Sequence, residues 1–373
     1  MKIVLSPDSF KGSLSSERVC FFIEKGLKKS IPKAEIIKIP IADGGEGSLK
    51  CLKESLKADY KSVRVVNPIG KKINAFYLVA KDFSVIEMAQ ASGLTLINDN
   101  QKNPFKTTSY GTGQLILNSI KSGIKKIYLC IGGSATVDGG AGMLQALGLH
   151  FYDKKNNLIK EYMNNELLSQ IKKINTSHFY KNIQGVKIII LSDVKNKLLG
   201  KNGSVYVYAR QKGAKENDLV LLEANMKYFY NLISKYTKNV INIEGSGAAG
   251  GLGAGILSFF DCEIKSGIEE ILEIVNFSEK IKNANIIITG EGSIDRQTLN
   301  GKVISGILNK SNGIPVIAIA GSVNDIDKIN EMGILSAFPI CNKPMSLEDS
   351  IINVEKLIEN ISIQIGNLIK LKF

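Results

Sequence analysis

Acidic side chains, one lysine and small hydroxyl groups lie in glycine-rich loops, and these residues are the ones suited to chemistry. Asp8, Ser9 and Lys11 share the loop PDSFKG, and Asp43 and Glu46 lie in IADGGEG. A carboxylate in such a loop can hold a hydroxyl group or Mg²⁺, and a lysine can neutralise phosphate charge. A surface ion pair between Asp8 and Lys11, without a functional role, is an equally good interpretation of these two residues. The glycines around Asp43 and Glu46 favour a functional use, because glycine costs chain entropy on folding.

Three further acids follow apolar runs later in the chain. Asp193 comes just after the apolar run 186–191. A base that accepts a hydroxyl proton in phosphoryl transfer is expected at such a position. A role of Asp193 as the cap of the following turn is an equally good interpretation. Glu291 and Asp295 lie in TGEGSID, where they can ligate Mg²⁺ or bind substrate hydroxyls, although Asp295 can instead cap the next helix. Neither of the two histidines lies in a glycine-rich motif, so we expect no histidine-dependent catalysis.

The stretch IGGSATVDGGAGMLQALG, residues 131–148, is the most informative in the chain. An apolar run at 126–131 predicts a buried strand before it, and the spacing of Ala141, Met143, Leu144 and Leu147 predicts a helix after it. Paired glycines let a ligand approach the backbone, and the start of a helix attracts anions. A plain strand-to-helix connection is the alternative, but it needs fewer glycines. The candidate nucleotide-binding residues here are Gly132, Gly133, Ser134 and Thr136.

A second glycine cluster, GSGAAGGLGAG at residues 245–255, is predicted to open another helix, and it adds Gly250, Gly251 and Gly253 to the candidates. Neither cluster matches the GxxxxGK[ST] phosphate loop or the GxGxxG dinucleotide fingerprint. Two such clusters can still hold two anionic groups, as a nucleotide and an anionic acceptor would require. Acids, lysine and backbone amides without histidine suit phosphoryl transfer, in which positioning and electrostatics dominate.

The order of predicted elements indicates an α/β protein with parallel sheets. Two strand–loop–helix units open the chain, and a β-hairpin at 61–80 then changes the pattern, which places a domain boundary near residue 66. The loops with candidate residues each follow an apolar strand. Because the carboxyl ends of parallel strands share one edge, we expect these loops to converge there.

Composition narrows the class of protein. The 373 residues carry a net charge of +13, which raises the alternative of a non-catalytic nucleic-acid-binding protein. The lysines are scattered, however, and tryptophan is absent, so we expect no nucleic-acid partner. The five cysteines are far apart, which predicts neither zinc nor disulfides. No stretch approaches about eighteen apolar residues and no signal peptide is visible, so we expect a cytoplasmic protein without a membrane partner.

Seven motifs together resemble the bacterial glycerate kinase family, type 1. They follow one another along nearly the whole chain, and several are long and specific. The motifs are PDSFKGSLS at 7–15, IADGGEGS at 41–48, EMAQASGL at 87–94, TTSYGTGQLI at 107–116, IGGSATVDGGAGMLQALG at 131–148, GAAGGLGAG at 247–255 and TGEGSIDRQTLNGK at 289–302.

The resemblance implies ATP- and Mg²⁺-dependent phosphorylation of D-glycerate to 2-phosphoglycerate. The alternatives are a glycerate 3-kinase and a kinase of another small hydroxy or sugar acid. A homodimer is a further open possibility. It also implies a flavodoxin-like, Rossmann-type domain from residues 1–66 and 285–373. A second α/β domain, residues 67–284, is inserted and carries the glycine-rich loops, with the active site expected between the domains. We predict catalytic roles for Asp193 and Lys11. Substrate binding is predicted for Asp8, Ser9, Asp43, Glu46, Glu291 and Asp295.

Overall fold

The structure is a computed structural model that describes residues 1–10, 12–42, 44, 45, 47–56, 58–294, 303–324 and 331–371. Its strands are β1 (Lys2–Leu5), β2 (Glu35–Lys38), β3 (Asp59–Val66), β4 (Lys72–Val79), β5 (Phe83–Glu87), β6 (Lys126–Cys130), β7 (His150–Tyr152), β8 (Lys173–Asn175), β9 (Lys187–Leu191), β10 (Asp261–Lys265), β11 (Ile286–Ile294), β12 (Val316–Val323) and β13 (Ser336–Pro339).

The α-helices alternate with these strands over most of the chain. They are α1 (Ser16–Ser30), α2 (Ser48–Leu56), α3 (Ala89–Ser92), α4 (Tyr110–Lys121), α5 (Ala141–Ala146), α6 (Asn165–Leu168), α7 (Ser177–Ile183), α8 (Ser204–Tyr208), α9 (Leu219–Ile233), α10 (Ala248–Phe259), α11 (Gly267–Ile274), α12 (Phe277–Lys280), α13 (Val303–Lys310), α14 (Leu347–Ile352) and α15 (Val354–Lys370). No helix of the described residues combines the length and the apolar character that a membrane span requires.

The chain divides into two compact units. Unit 1 consists of Met1–Asp43, Lys50–Leu56 and Ser266–Phe373, and unit 2 consists of Gly44–Leu49 and Lys57–Lys265. Both chain ends therefore contribute to unit 1. β3 pairs with β4 along its whole length and belongs to the sheet of unit 2.

Unit 1 contains a parallel sheet of five strands in the order β13-β12-β11-β1-β2. Counted within this sheet, that is the order 2-1-3-4-5 of the flavodoxin-like fold, which confirms the predicted fold class. Ile3, Leu5, Ile288 and Ile319 of the central strands are buried against helices that include α1 and α15. The strands read as continuous apolar runs because both faces of such a sheet are covered.

Unit 2 contains a mixed sheet of six strands in the order β10-β9-β6-β5-β4-β3. β10, β9, β6 and β5 are parallel, and β4 and β3 add an antiparallel edge, which confirms the predicted hairpin. The polar segment after residue 148, for which the sequence predicted no structure, forms the antiparallel pair β7–β8 with α6 and α7. Phe151, Phe179 and Phe229 are fully buried in the core of this unit.

Close packing of α1 on α15 yields a test of the fold of unit 1. A Cβ atom at Gly26 would lie 2.4 Å from the Glu359 carbonyl oxygen and 2.6 Å from the Ser362 Cβ atom. Alanine is the better helix former by about 1 kcal/mol, but overpacking costs about 1–3 kcal/mol. We therefore expect Gly26→Ala to lower the melting temperature. Asn367→Ala, at an exposed position of α15, is the control and should change the stability by less than about 0.5 kcal/mol. A Gly26→Ala variant as stable as the wild type would contradict this packing.

Candidate active site

Two of the predicted acids lie beyond the carboxyl end of β1 in unit 1: Asp8 follows β1, and Glu291 lies within β11, which continues to Ile294. β1 is paired with β2 on one side and with β11 on the other, so the connections leave this point in opposite directions, and this is the position at which open α/β sheets bind ligands. Past the paired strands, the backbone N–H of Asp8 donates to the carbonyl oxygen of Gly290 at 2.8 Å. Asp8 and Glu291 therefore both lie at the topological switch point of the sheet.

Both acids are largely buried, with 6% of Asp8 and 7% of Glu291 exposed. The Oδ1 atom of Asp8 accepts a hydrogen bond from the backbone N–H of Ser9 at 2.6 Å, which fixes one carboxylate oxygen. The Thr289 hydroxyl donates to the carbonyl oxygen of Ser6 at 2.9 Å and joins the two strand ends. Two buried carboxylates at a switch point suit the binding of hydroxyl groups or of a hard cation. The predicted residues Lys11, Asp43, Glu46 and Asp295 lie outside the described residues.

In unit 2 the two glycine clusters pack against each other. The backbone N–H of Gly139 donates to the carbonyl oxygen of Gly250 at 3.0 Å, and the Tyr230 hydroxyl donates to the carbonyl oxygen of Gly139 at 2.7 Å. A Cβ atom at Gly250 would lie 1.8 Å from the Thr136 carbonyl oxygen, and one at Gly251 would lie 2.9 Å from the Gly139 Cα atom. Gly250 and Gly251 also have positive φ angles. Close backbone packing therefore requires glycine at both positions.

Asp138 occupies the start of α5, which sequence reasoning had reserved for an anion. It is fully buried, and it accepts hydrogen bonds from the backbone N–H groups of Gly140 and Gly142 and from the N–H and hydroxyl of Ser109. Burial raises the pKa of Asp138, and the hydrogen bonds from Ser109, Gly140 and Gly142 oppose that rise. The sequence signal for this residue was available: it is the one acid inside the glycine-rich stretch and it directly precedes a predicted helix.

The segment Gly132–Thr136 contains the part of the first glycine cluster that reaches the surface, residues 132–134. Gly133 is exposed with a φ angle of 72°, and its carbonyl oxygen accepts from the N–H of Leu94 at 2.8 Å. Ser134 is part-exposed, whereas Thr136 is fully buried and its hydroxyl has no hydrogen-bond partner within the described chain. A Cβ atom at Gly132 would lie 3.0 Å from the Gly45 Cα atom, so Gly45, which belongs to the same unit, approaches here.

Lys212 lies beneath this segment and was assigned no role from the sequence. Only 4% of the residue is exposed, and its Nζ atom donates to the Ser134 hydroxyl oxygen at 2.7 Å and to the Thr136 carbonyl oxygen at 2.8 Å. Burial lowers the pKa of Lys212 to about 7, and the charge of Asp138 opposes the shift. The local sequence QKGA gave only a weak indication of a functional lysine, because nothing in it shows that Lys212 is buried.

Asp193 lies at the carboxyl end of β9, the neighbour of β6 in the sheet. Because Leu191 pairs with Cys130, the loops after these strands leave the sheet side by side. The N–H of Ser192 donates to the carbonyl oxygen of Lys265 at 3.0 Å, and Asp193 itself is exposed. The second glycine cluster adjoins this loop, since the N–H of Gly247 donates to the Asn196 carbonyl oxygen at 3.0 Å. Asp193, the glycine clusters and Lys212 thus share one edge of unit 2.

Comparison with known proteins identifies the family of this chain. The profile of the glycerate kinase family matches residues 3–370. A glycerate kinase from Halalkalibacterium halodurans is 41% identical, over 96% of this chain and 95% of that protein. The glycerate 2-kinase of Escherichia coli is 39% identical, over 94% of this chain and 93% of its own length.

A crystal structure assigned to a glycerate kinase 2 from Salmonella typhimurium LT2 superposes with a TM-score of 0.88 at 36% identity. The match covers 100% of this chain and 99% of that one, so the likeness extends to the complete fold. With a family match along almost the whole sequence and relatives of the same length, the chain belongs to the glycerate kinase family.

Proposed function

We propose that this chain transfers the γ-phosphoryl group of ATP to the 2-hydroxyl of D-glycerate and forms 2-phosphoglycerate. Membership of the family makes the chain a kinase, a phosphotransferase with an alcohol acceptor. The observation that carries the choice of substrate and position is the similarity to the Escherichia coli glycerate 2-kinase over nearly the full length of both proteins. D-glycerate and ATP are then the partners of the chain, and the homodimer and cytoplasmic location expected from the sequence stay predictions.

Unit 1 offers the chemistry that binds a small hydroxy acid and a metal ion. Asp8 and Glu291 are buried carboxylates at the switch point, and carboxylate oxygens are the ligands that Mg²⁺ prefers. The described residues contain no cluster of three or more metal-binding side chains. Mg²⁺ fits nevertheless, because it is usually bound by one or two carboxylates and by substrate phosphates. Bound there, Mg²⁺ would neutralise charge on the phosphates of ATP. Ser9 is proposed to bind substrate, with Asp43, Glu46 and Asp295.

Unit 2 offers the surface on which we propose that nucleotide phosphates bind. Gly132, Gly133 and Ser134 form its reachable part, and the buried Thr136 and the buried ammonium group of Lys212 lie directly behind them. Backbone and hydroxyl donors above a positive charge suit an anion. Gly250 and Gly251 contribute by allowing the second cluster to pack against the first. Gly253 allows close packing within the second cluster, since a Cβ atom there would lie 2.8 Å from the Gly245 carbonyl oxygen.

The reaction needs a group that takes the proton of the attacking hydroxyl and a cation near the transferred phosphoryl group. Asp193 is the proposed base, because an exposed carboxylate on the loop after β9 can reach a bound ligand at that edge. Lys11, in the loop after β1, is proposed to stabilise the charge that develops on the phosphoryl oxygens. Positioning and electrostatics of this kind are what phosphoryl transfer requires of a protein.

The proposed reaction is tested by its product. Purified protein is screened for ADP release with D-glycerate, L-glycerate and other small hydroxy and sugar acids, and the product with D-glycerate is identified by phosphorus NMR. We expect the highest kcat/KM with D-glycerate and a phosphorus signal coupled to the proton on carbon 2. A signal that couples to the two protons on carbon 3 would establish a 3-kinase, and a higher kcat/KM with another acid would replace the substrate.

The glycine segment is tested by adding a side chain to it. Gly133→Val restricts a backbone held at a φ angle of 72° and places methyl groups on the exposed loop, so ATP or glycerate affinity should fall at least tenfold. Gly123→Val is the matched control, because Gly123 has a φ angle of 90°, has open space around it and follows α4 away from the loop. Both variants should lose about 1–2 kcal/mol of stability. Equal affinities for both ligands in the two folded variants would refute the binding role.

The proposed base is tested by removing its charge while keeping its shape. Asp193→Asn should lower kcat by about 10²–10⁴ and leave the melting temperature nearly unchanged, since the side chain is exposed. Asp261→Asn serves as the control, because Asp261 is an exposed acid at the amino end of β10, on the opposite edge of the same sheet. Should Asp193→Asn retain kcat within about threefold of the wild type, less than a base contributes, the base lies elsewhere and Asp8, Asp43 and Glu291 are next.

A further inference from the structure

Lys212 is a buried cation held by neutral oxygens. Its two hydrogen-bond acceptors are the Ser134 hydroxyl and the Thr136 carbonyl, and no carboxylate of the described residues forms an ion pair with it. An ammonium group has three N–H donors, so one remains beyond these two bonds. Burying a charge without a direct partner is costly, and proteins rarely retain such a group unless it is used. The location of Lys212 therefore calls for an explanation beyond packing.

The charges around Lys212 leave a net positive site under the loop. Asp138 is the charged group whose field reaches Lys212, and the carboxylate of Asp138 is already engaged by donors of Ser109, Gly140 and Gly142. Its attraction only partly offsets the cost of burial, which lowers the pKa of Lys212 to about 7. Neutral pH therefore lies in the range where the charge of Lys212 changes.

The bond from Lys212 also decides what the loop presents to solvent. The Ser134 oxygen accepts from the ammonium group at 2.7 Å, so the single hydroxyl proton of Ser134 is left to donate elsewhere. Ser134 is part-exposed next to the exposed Gly133. The segment thus keeps the hydroxyl proton of Ser134 available above a buried positive charge, and that combination is complementary to an anion.

We propose that Lys212 is a positioning residue that orients Ser134 and supplies the positive charge for an anionic group bound on the segment Gly132–Thr136. The proposal rests on the proposed function, which provides two such groups, the triphosphate of ATP and the carboxylate of glycerate. Lys212 acts through the loop and takes no part in bond making.

Proton linkage predicts the direction in which the affinity for the anion changes with pH. An anion above the loop favours the charged form of Lys212, so binding raises the pKa of Lys212 and takes up a proton when the free protein has lost it. Affinity for that anion is then full below the pKa of the free protein, about 7, and declines as the pH rises above it. The opposite slope would follow if the ligand preferred the neutral amine.

The experiment is isothermal titration calorimetry of the wild type and of Lys212→Met, with ATP and with D-glycerate in separate titrations. Each is run at pH 6 and pH 8 in two buffers that differ in ionisation enthalpy, and proton uptake is taken from that difference. We expect one ligand to bind the wild type about tenfold more weakly at pH 8, the ratio of the protonated fractions for a pKa near 7. The ionisation of the free ligand is common to both proteins and cancels between them.

Lys212→Met should bind that ligand more weakly at pH 6 and change by less than about twofold between the two pH values, because methionine does not titrate. Lys212→Arg, which stays charged at both pH values, should recover part of the affinity and also lack the pH dependence. Lys181→Met is the control: Lys181 is exposed on α7, which leads into the amino end of β9, and this variant should bind both ligands like the wild type.

The titrations either identify the anion that binds above Lys212 or refute the proposal. A change confined to the ATP titrations assigns the segment to the triphosphate, and a change confined to D-glycerate assigns it to the carboxylate. If folded Lys212→Met binds both ligands with wild-type affinity and pH dependence, Lys212 has no such role. If that variant does not fold, Lys212→Arg takes its place, and the proposal fails when Lys212→Arg keeps the pH dependence and the proton uptake of the wild type. The proposed function fails separately, when the wild type binds ligands but does not phosphorylate glycerate.

Discussion

The contact between the two glycine clusters is the constraint on which the candidate site of unit 2 depends. A backbone hydrogen bond joins Gly139 to Gly250, and there is no room for a Cβ atom between Gly250 and the Thr136 carbonyl. Two loops from distant parts of the sequence therefore behave as one layer. The same Thr136 carbonyl accepts from Lys212. A side chain at Gly250 would thus disturb both the layer and the cation beneath it.

Two opposite charges, Asp138 and Lys212, are buried below this layer without a hydrogen bond to each other, and each is stabilised in a different way. Donors of Ser109, Gly140 and Gly142 surround the carboxylate, whereas neutral oxygens of Ser134 and Thr136 hold the ammonium group. Fixed dipoles in a region of low dielectric hold their orientation before a ligand arrives. The candidate site is therefore organised before a ligand binds. The N–H groups at the start of α5 bind the internal carboxylate of Asp138 and not a ligand.

Much of the fold follows from local patterns, but the buried charges do not. The hairpin β3–β4, the strand before the first glycine cluster and the helices after both clusters were predicted, because apolar periodicity and paired glycines are local signals. β10 and β13 were not predicted, because DCEIK and SAFP are short and only partly apolar. They form strands because they pair with the parallel neighbours β9 and β12. The roles of Lys212 and Asp138 depend on partners far away in sequence, and no spacing rule reveals such partners. The flavodoxin-like order came from resemblance to a family, not from periodicity.

The topology of the two sheets explains why glycine is concentrated in unit 2. In unit 1 the strand order reverses at β1, so the connections diverge and a crevice forms at the carboxyl edge without special backbone geometry. In unit 2 the parallel strands β5, β6, β9 and β10 follow one another in chain order, and no reversal opens a crevice among them. A ligand surface at that edge must then be built from the loops themselves. Loops that pack backbone against backbone, with positive φ angles at Gly139, Gly140, Gly250 and Gly251, would give such a surface its shape.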